Sequence, residues 1–315
     1  MRVLVTGALG QIGSELVGAL VDKYGKEKVI ATDKKNGDSE FKCQFTHLDV
    51  LDQEAAEEIV RKNGITTIYH LAALLSAVAE EKPLLAWHVN MDGLRNILDI
   101  ARKYDCSVFT PSSIGAFGPT TPKNNTPQDT IQRPASMYGV TKVAGELLCD
   151  YYYNKFGVDT RGVRYPGIIS NKTLPGGGTT DYAVEIYYEA LKNGRYECFL
   201  KENTILDMMY MPDAIKAAIN LMEAPVEKLE HRNAFNVTAM SVTPRDFAAS
   251  IKKFIPDFEI EYKVDKTKQQ IADSWPNSLD DSAASEEWGW NPEYDLDSMT
   301  EDMLEKLSVK LDIKY

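Results

Sequence analysis

Cysteine is scarce and unpaired in this chain: four residues in 315, Cys43, Cys106, Cys149 and Cys198. They stand far apart, without a Cys-x-x-Cys pair or a histidine at ligand spacing, which argues against a disulfide framework and against a structural zinc site. Long apolar runs are missing too; none approaches the roughly 20 residues a bilayer span needs. There is no cluster of Lys and Arg. Acidic residues outnumber basic ones 47 to 35, a net charge of −12, and a chain so balanced is a poor ligand for nucleic acid or an anionic membrane. The first strand-like run, Arg2 to Thr6, leaves no room for a signal or transit peptide. These absences predict a soluble, cytoplasmic protein with no metal site, no nucleic-acid partner and no membrane partner. What is present is ordinary globular material, 43% hydrophobic and 26% charged, enough for a large core.

Short β-branched runs alternate with helical periods, the pattern of a doubly wound parallel sheet with helices on both faces. Strands are expected at Val3–Thr6, Val29–Thr32, Cys43–Leu48, Thr67–Leu71, Ser107–Thr110 and Thr160–Tyr165. Helices are expected at Ile12–Val21, Asp52–Arg61, from Pro83 to Lys103, and at Tyr138–Phe156. Residues 118–134, rich in Pro, Thr and Asn, read as a surface loop. After Pro166 the alternation loosens: Gly176-Gly177-Gly178 reads as a flexible loop and Tyr182–Lys192 as an amphipathic helix, leading into a smaller α/β lobe. The expected division is 1–170 for a nucleotide-binding domain and 171–315 mainly for a substrate lobe. Segments near 204–223 and 234–238 return to the first domain.

Two motifs carry chemistry. Gly7-Ala-Leu-Gly10-Gln11-Ile12-Gly13 lies between the first strand and its helix, where glycines let backbone approach a pyrophosphate and helix amides meet its charge. Asp33 ends the second strand twenty residues after Gly13, where a carboxylate would bind adenosine ribose hydroxyls. A carboxylate there repels a 2′-phosphate, so NAD is the expected cofactor, although Lys34 and Lys35 are adjacent cations. The second motif is Tyr138-Gly-Val-Thr-Lys142, one turn of helix from phenol to ammonium. An ammonium nearby stabilises a phenolate, which lets a tyrosine take a proton near neutrality. The same pattern also describes an amphipathic helix with a buried tyrosine and a solvated lysine.

Taken with His70-Leu71-Ala72-Ala73, Asn90, Ser112-Ser113, Asp207 to Asp213 and Asn236 to Thr238, these motifs resemble the extended short-chain dehydrogenase/reductase family over nearly the whole chain. Within that family the chain is most similar to the short-chain-type L-threonine 3-dehydrogenases, on Leu74-Leu75-Ser76-Ala77, residues 111–118, 164–170 and 176–183, and Asp273-Ser-Trp275-Pro276. The resemblance implies an NAD-dependent Rossmann enzyme with Ser113, Tyr138 and Lys142 catalytic. It implies coenzyme contacts from Gly7, Gly10, Gln11, Ile12, Gly13, Asp33, Lys34, Asp49, Val50, Leu71, Ala72, Ala73, Asn90, Ser112, Tyr138, Lys142, Tyr165, Pro166 and Ile168. The implied reaction oxidises the β-hydroxyl of L-threonine to 2-amino-3-oxobutanoate.

An amino-acid substrate would meet Ser76, Ser113, Tyr138, Thr179, Thr180, Asp181 and Trp275. Each substrate-side residue has a plainer reading. Thr179-Thr180-Asp181 is also a good helix cap, Trp275 a packing residue, and Ser76 a buried loop hydroxyl. Two rivals stand beside threonine oxidation. One is a nucleotide-sugar epimerase or dehydratase, against which residues 176–189 hold no Lys or Arg for a diphosphate. The other is a non-catalytic NAD sensor, against which the Tyr138/Lys142 pair is retained. Leu147, Leu148 and the Tyr151–Tyr153 run, with the helix from Asn90 to Lys103, suggest a homodimer interface; a buried core helix would read the same.

Overall fold

The computed structural model describes residues 1–37, 41–174 and 178–314. Its centre is a six-stranded parallel sheet. Five of its strands are β1 (Val3–Thr6), β2 (Val29–Asp33), β3 (Gln44–His47), β4 (Thr67–His70) and β5 (Ser107–Phe109). A two-residue strand, β6 (Ser112–Ser113), follows outside this sheet, and β7 (Thr160–Arg161) completes it in the order 3-2-1-4-5-7. That order is doubly wound, as expected, and it reverses beside β1.

Period-two alternation along the strands divides the core. Val3 and Val5 face Leu16 and Leu20 of α1 (Gln11–Tyr24). Leu4, Ile30, Ile68 and Val108 face the opposite helices. Those are α2 (Gln53–Asn63), capped by Asp52, α5 (Gly93–Tyr104) and α6 (Met137–Phe156), while the short α3 (Ser76–Glu81) and α4 (Pro83–Trp87) pack against α6. The long helix expected from Pro83 runs without a break to Tyr104, widened at one turn. Residues His88–Asp92 form a wide π turn, and buried Asn90 within it holds the backbone of Leu74 from both sides, accepting its amide (2.8 Å) and donating to its carbonyl (3.1 Å). Such one-turn bulges recur at functional sites.

The expected strand from Thr160 to Tyr165 divides at Gly162 into β7 and β8 (Val163–Tyr165), followed by β9 (Gly167–Ile169). Beyond lie α7 (Tyr182–Asn193), β10 (Arg195–Cys198), β11 (Leu206–Tyr210) and α8 (Met211–Glu223). Then come β12 (Phe235–Asn236), β13 (Met240–Val242), α9 (Pro244–Ile251) and β14 (Glu259–Tyr262), with α10 (Lys266–Ala272), α11 (Ser282–Trp288) and α12 (Leu296–Leu311) last. β12 pairs parallel with β8, which pairs with β6; β11 joins β9 to β13. A separate core of Tyr182, Tyr187, Phe247 and Met303 lies under α7, α9 and α12. No described helix is long and apolar enough to cross a membrane. The four cysteines are free, and no cluster of metal-ligating side chains occurs among the described residues. Of the expected glycine loop, Gly176 and Gly177 lie outside the described residues.

Candidate active site

At the C-terminal end of β1 the chain turns into α1 so tightly that side chains have no room. Gly7 has φ +68°, and a Cβ there would sit 2.7 Å from the Ala72 amide nitrogen; one on Gly13 would sit 2.3 Å from the Gly7 carbonyl oxygen. The turn leaves Gly10, exposed, at the cap of α1, with Gln11 and Ile12 starting the helix. This is a backbone cradle at a helix N-terminus, suited to a pyrophosphate. Asp33 reaches back to it: Oδ2 accepts the amide of Leu9 (3.1 Å), while Oδ1 accepts that of Lys35 (3.0 Å). Lys34 and Lys35 point to solvent.

Beside this cradle lie Leu71, Ala72 and Ala73, which follow β4 and are tied to β1 through Thr6. His70 is fully buried against the Thr6 hydroxyl (2.9 Å). Burial, with a smaller push from the Lys142 ammonium, lowers its pKa to about 3, so it stays neutral and packs. Val50 is buried and bounds the space beside Gly93, whereas Asp49 is exposed and caps its own turn. Tyr165 is buried, with its hydroxyl on the Ala214 carbonyl; Pro166 is buried beside it, and the Ile168 carbonyl faces Gln11.

β6 ends with two serines pointing to opposite faces. Ser113 is half-buried and its Oγ accepts the Gly115 amide (3.1 Å). Tyr138 opens α6 just after the Ser136 cap. A Cβ built on Gly115 would lie 3.1 Å from Cδ1 and Cε1 of Tyr138 and 3.5 Å from Ser113 Oγ, so phenol ring and hydroxyl border one small space. Lys142 sits one turn on, its ammonium 5.4 Å from the centre of the Tyr138 ring and donating to the Pro111 carbonyl (2.7 Å). Asn90 braces the same helix by donating to Thr141 Oγ1 (3.1 Å). A pocket lined by Ala72, Ala73, Asn90, Pro111 and Lys142 opens beside the Lys142 ammonium. Ser112, among the expected coenzyme contacts, lines this same pocket, its hydroxyl bonded to Glu146.

On the substrate side, Asp181 stands at the start of α7, and its Oδ2 accepts the Gly178 amide upstream (2.7 Å) rather than capping the first turn. Thr179 is buried; Thr180 presses its methyl toward Gly167. Ser76 begins α3, half-buried. Trp275 packs on Ile114, Phe117 and Leu279, and so covers the turn that follows Ser113. Sequence reasoning missed the Glu146–Arg164 pair under β6. Its one visible signal was an acidic residue four positions after Lys142.

A family model described as the NAD dependent epimerase/dehydratase family matches residues 3–238. The chain belongs to that family. NAD is accordingly its cofactor, and the glycine cradle with the Asp33 carboxylate beside it fits that molecule. A Staphylococcus saprophyticus protein described as an uncharacterized epimerase/dehydratase is 54% identical over 98% of both chains. Among solved structures, an L-threonine dehydrogenase from Clostridium difficile superposes with a TM-score of 0.97 at 62% identity, covering 98% of each chain. One from Phytophthora infestans gives 0.95 at 52%, covering 98% of this chain and all of its own. The site lies at the C-terminal ends of β1 and β4, from which Gly7 and Leu71 follow.

Proposed function

We propose that the protein oxidises L-threonine at its β-hydroxyl with NAD, yielding L-2-amino-3-oxobutanoate. The observation that carries this is the meeting of the Tyr138 ring, the Lys142 ammonium and the Ser113 hydroxyl around the space beside Gly115. The solved threonine dehydrogenases that share 52–62% of its residues point to the amino-acid substrate.

NAD, when bound along the glycine loop, supplies the acceptor for the hydride that leaves the β-carbon. The ammonium of Lys142 holds Tyr138 as the phenolate, which takes the proton of the β-hydroxyl and becomes the neutral phenol. Ser113, its oxygen already engaged by the Gly115 amide, turns its own proton to the substrate oxygen. The substrate's ammonium pairs with the Asp181 carboxylate, while Thr179, Thr180 and Ser76 supply hydroxyls for its polar end. Trp275, seated on the turn after Ser113, excludes water.

The coenzyme half comprises 1–170 with the returns near 204–223 and 234–238, a division supported by the pairing of β12 with β8 and of β11 with β9. Leu147 and Tyr151, one turn apart on α6, with Leu84 and Trp87 on α4, are exposed apolar side chains and support a homodimer. The free thiols support a reducing, cytoplasmic setting.

The test follows NADH formation from NAD with L-threonine, with L-serine and UDP-galactose in parallel. Fast turnover with threonine alone is expected, and Tyr138→Phe should lower it by about a thousandfold while NAD still binds. Silence with threonine from protein that binds NAD would defeat the substrate assignment.

A further inference from the structure

Glu146 is a buried carboxylate outside the chemistry assigned so far, yet it lies on the same stripe of α6 as Tyr138 and Lys142, each four residues from the next. Both of its oxygens are engaged. Oε1 accepts the Ser112 hydroxyl and Nε of Arg164 (3.1 Å). Oε2 accepts Nη2 of Arg164 (2.9 Å) and Nε2 of Gln132 (2.7 Å). Both side chains of the ion pair are only 8% exposed. Arg164 spends Nη1 on the Gln128 carbonyl (2.7 Å) and Asn236 Oδ1 (3.1 Å), and its guanidinium lies 5.2 Å from the centre of the Phe117 ring.

Ser113 therefore hangs between two anchors. On one side Ser112 is tied to Glu146; on the other, Phe117, which closes the Ser113 turn, lies against Arg164. Pro111, one residue further back, is held by Lys142. Two bonds one helical turn apart thus stitch residues 111–112 to α6 and set the distance from Ser113 to Tyr138. A buried ion pair adds little net stability compared with an apolar filling, since desolvation offsets attraction; alignment of a reacting pair is a separate reason for one here. We propose that Glu146, acting through Ser112, is a positioning residue that fixes the Ser113 hydroxyl against the Tyr138 phenol. The inference rests on the roles proposed for Ser113 and Tyr138 and is independent of which hydroxyl substrate they serve.

The test is a double-mutant cycle on NADH formation, run with whichever substrate reduces NAD in the unmutated protein. Ser112→Ala removes the hydroxyl and leaves the ion pair intact, so it carries the test even if Glu146→Gln does not fold. Ser112→Ala should lower kcat roughly tenfold with the KM for NAD unchanged. In a Ser113→Ala background the same change should cost nothing further, because residues acting as one unit are not additive. Full multiplication of the two losses, or a loss confined to the NAD KM, would overturn the positioning role and leave the reaction assignment standing. A fully active Ser113→Ala would remove the serine's role and the positioning role together.

Discussion

Asp207 offers the sharpest test of the physical reasoning. Its carboxylate is buried in β11, where one oxygen takes the Thr238 hydroxyl and the other the Leu279 amide (3.1 Å). No cation pairs with it among the described residues, and burial, opposed only in part by those hydrogen bonds, raises its pKa to about 8. In the unfolded chain the value returns to about 4. Folding thus retains a proton between these two values, so stability is fully present below about pH 4, falls as pH rises through the window, and is flat above about 8. Four units at 1.36 kcal/mol each set a ceiling of about 5 kcal/mol; local opening to water brings the expected loss to roughly half of it. Asp207→Asn supplies a neutral side chain of the same shape. Its carbonyl accepts from Leu279 and its amide donates to the Thr238 hydroxyl, which rotates to receive it. Thermal unfolding of both proteins at pH 5 and pH 9 reads the difference. At pH 5 the two should melt within a degree or two. At pH 9 the variant should melt several degrees higher, at about 2 °C for each kcal/mol in a chain of this size. A gap of equal size at both pH values would refute the argument, because the ionised carboxylate would then cost nothing.

Other expectations follow from single contacts. Gly13→Ala drives a methyl into the Gly7 carbonyl and should destabilise the protein by about 1–3 kcal/mol, with a fall in NAD affinity measured by calorimetry. Asp33→Ser removes the carboxylate beside Leu9 and should weaken NAD while improving NADP in a coenzyme competition assay, since a 2′-phosphate is no longer repelled. His70 stays neutral, its pKa lowered to about 3 by burial. Its imidazole NMR shifts should therefore stay constant from about pH 5 to 9, and a titration centred near 6.5 would contradict its burial.

The sheet and its glycine cradle were legible because their signals are local. Gly7 to Gly13 is one turn, and Asp33 ends the very next strand. Spacing along the chain was enough to place Tyr138 and Lys142 on one helical face. The features that escaped depend on partners distant in sequence. Asn90, in the π turn of its helix, bonds to Leu74, sixteen residues away. Ser112 bonds Glu146 across 34 residues, a partner that local spacing does not reveal. The short α3 was hidden because its six residues, Ser76–Glu81, are too few for a period to show. Asp181 had the composition of a cap, yet it bonds backward to Gly178.

The return of β12 to the edge of β8 also governs the order in which this chain can fold during synthesis. Arg164 leaves the ribosome some seventy residues before Asn236, whose side chain receives one of its nitrogens. Until then the buried guanidinium has a missing acceptor and β8 an open edge. A nascent chain stopped after residue 170 would thus hold every strand of the six-stranded sheet and still be unfinished at the place where Ser112, Glu146 and Arg164 meet. The ground beneath the reactive hydroxyls sets late, only after the strand that closes it has been made.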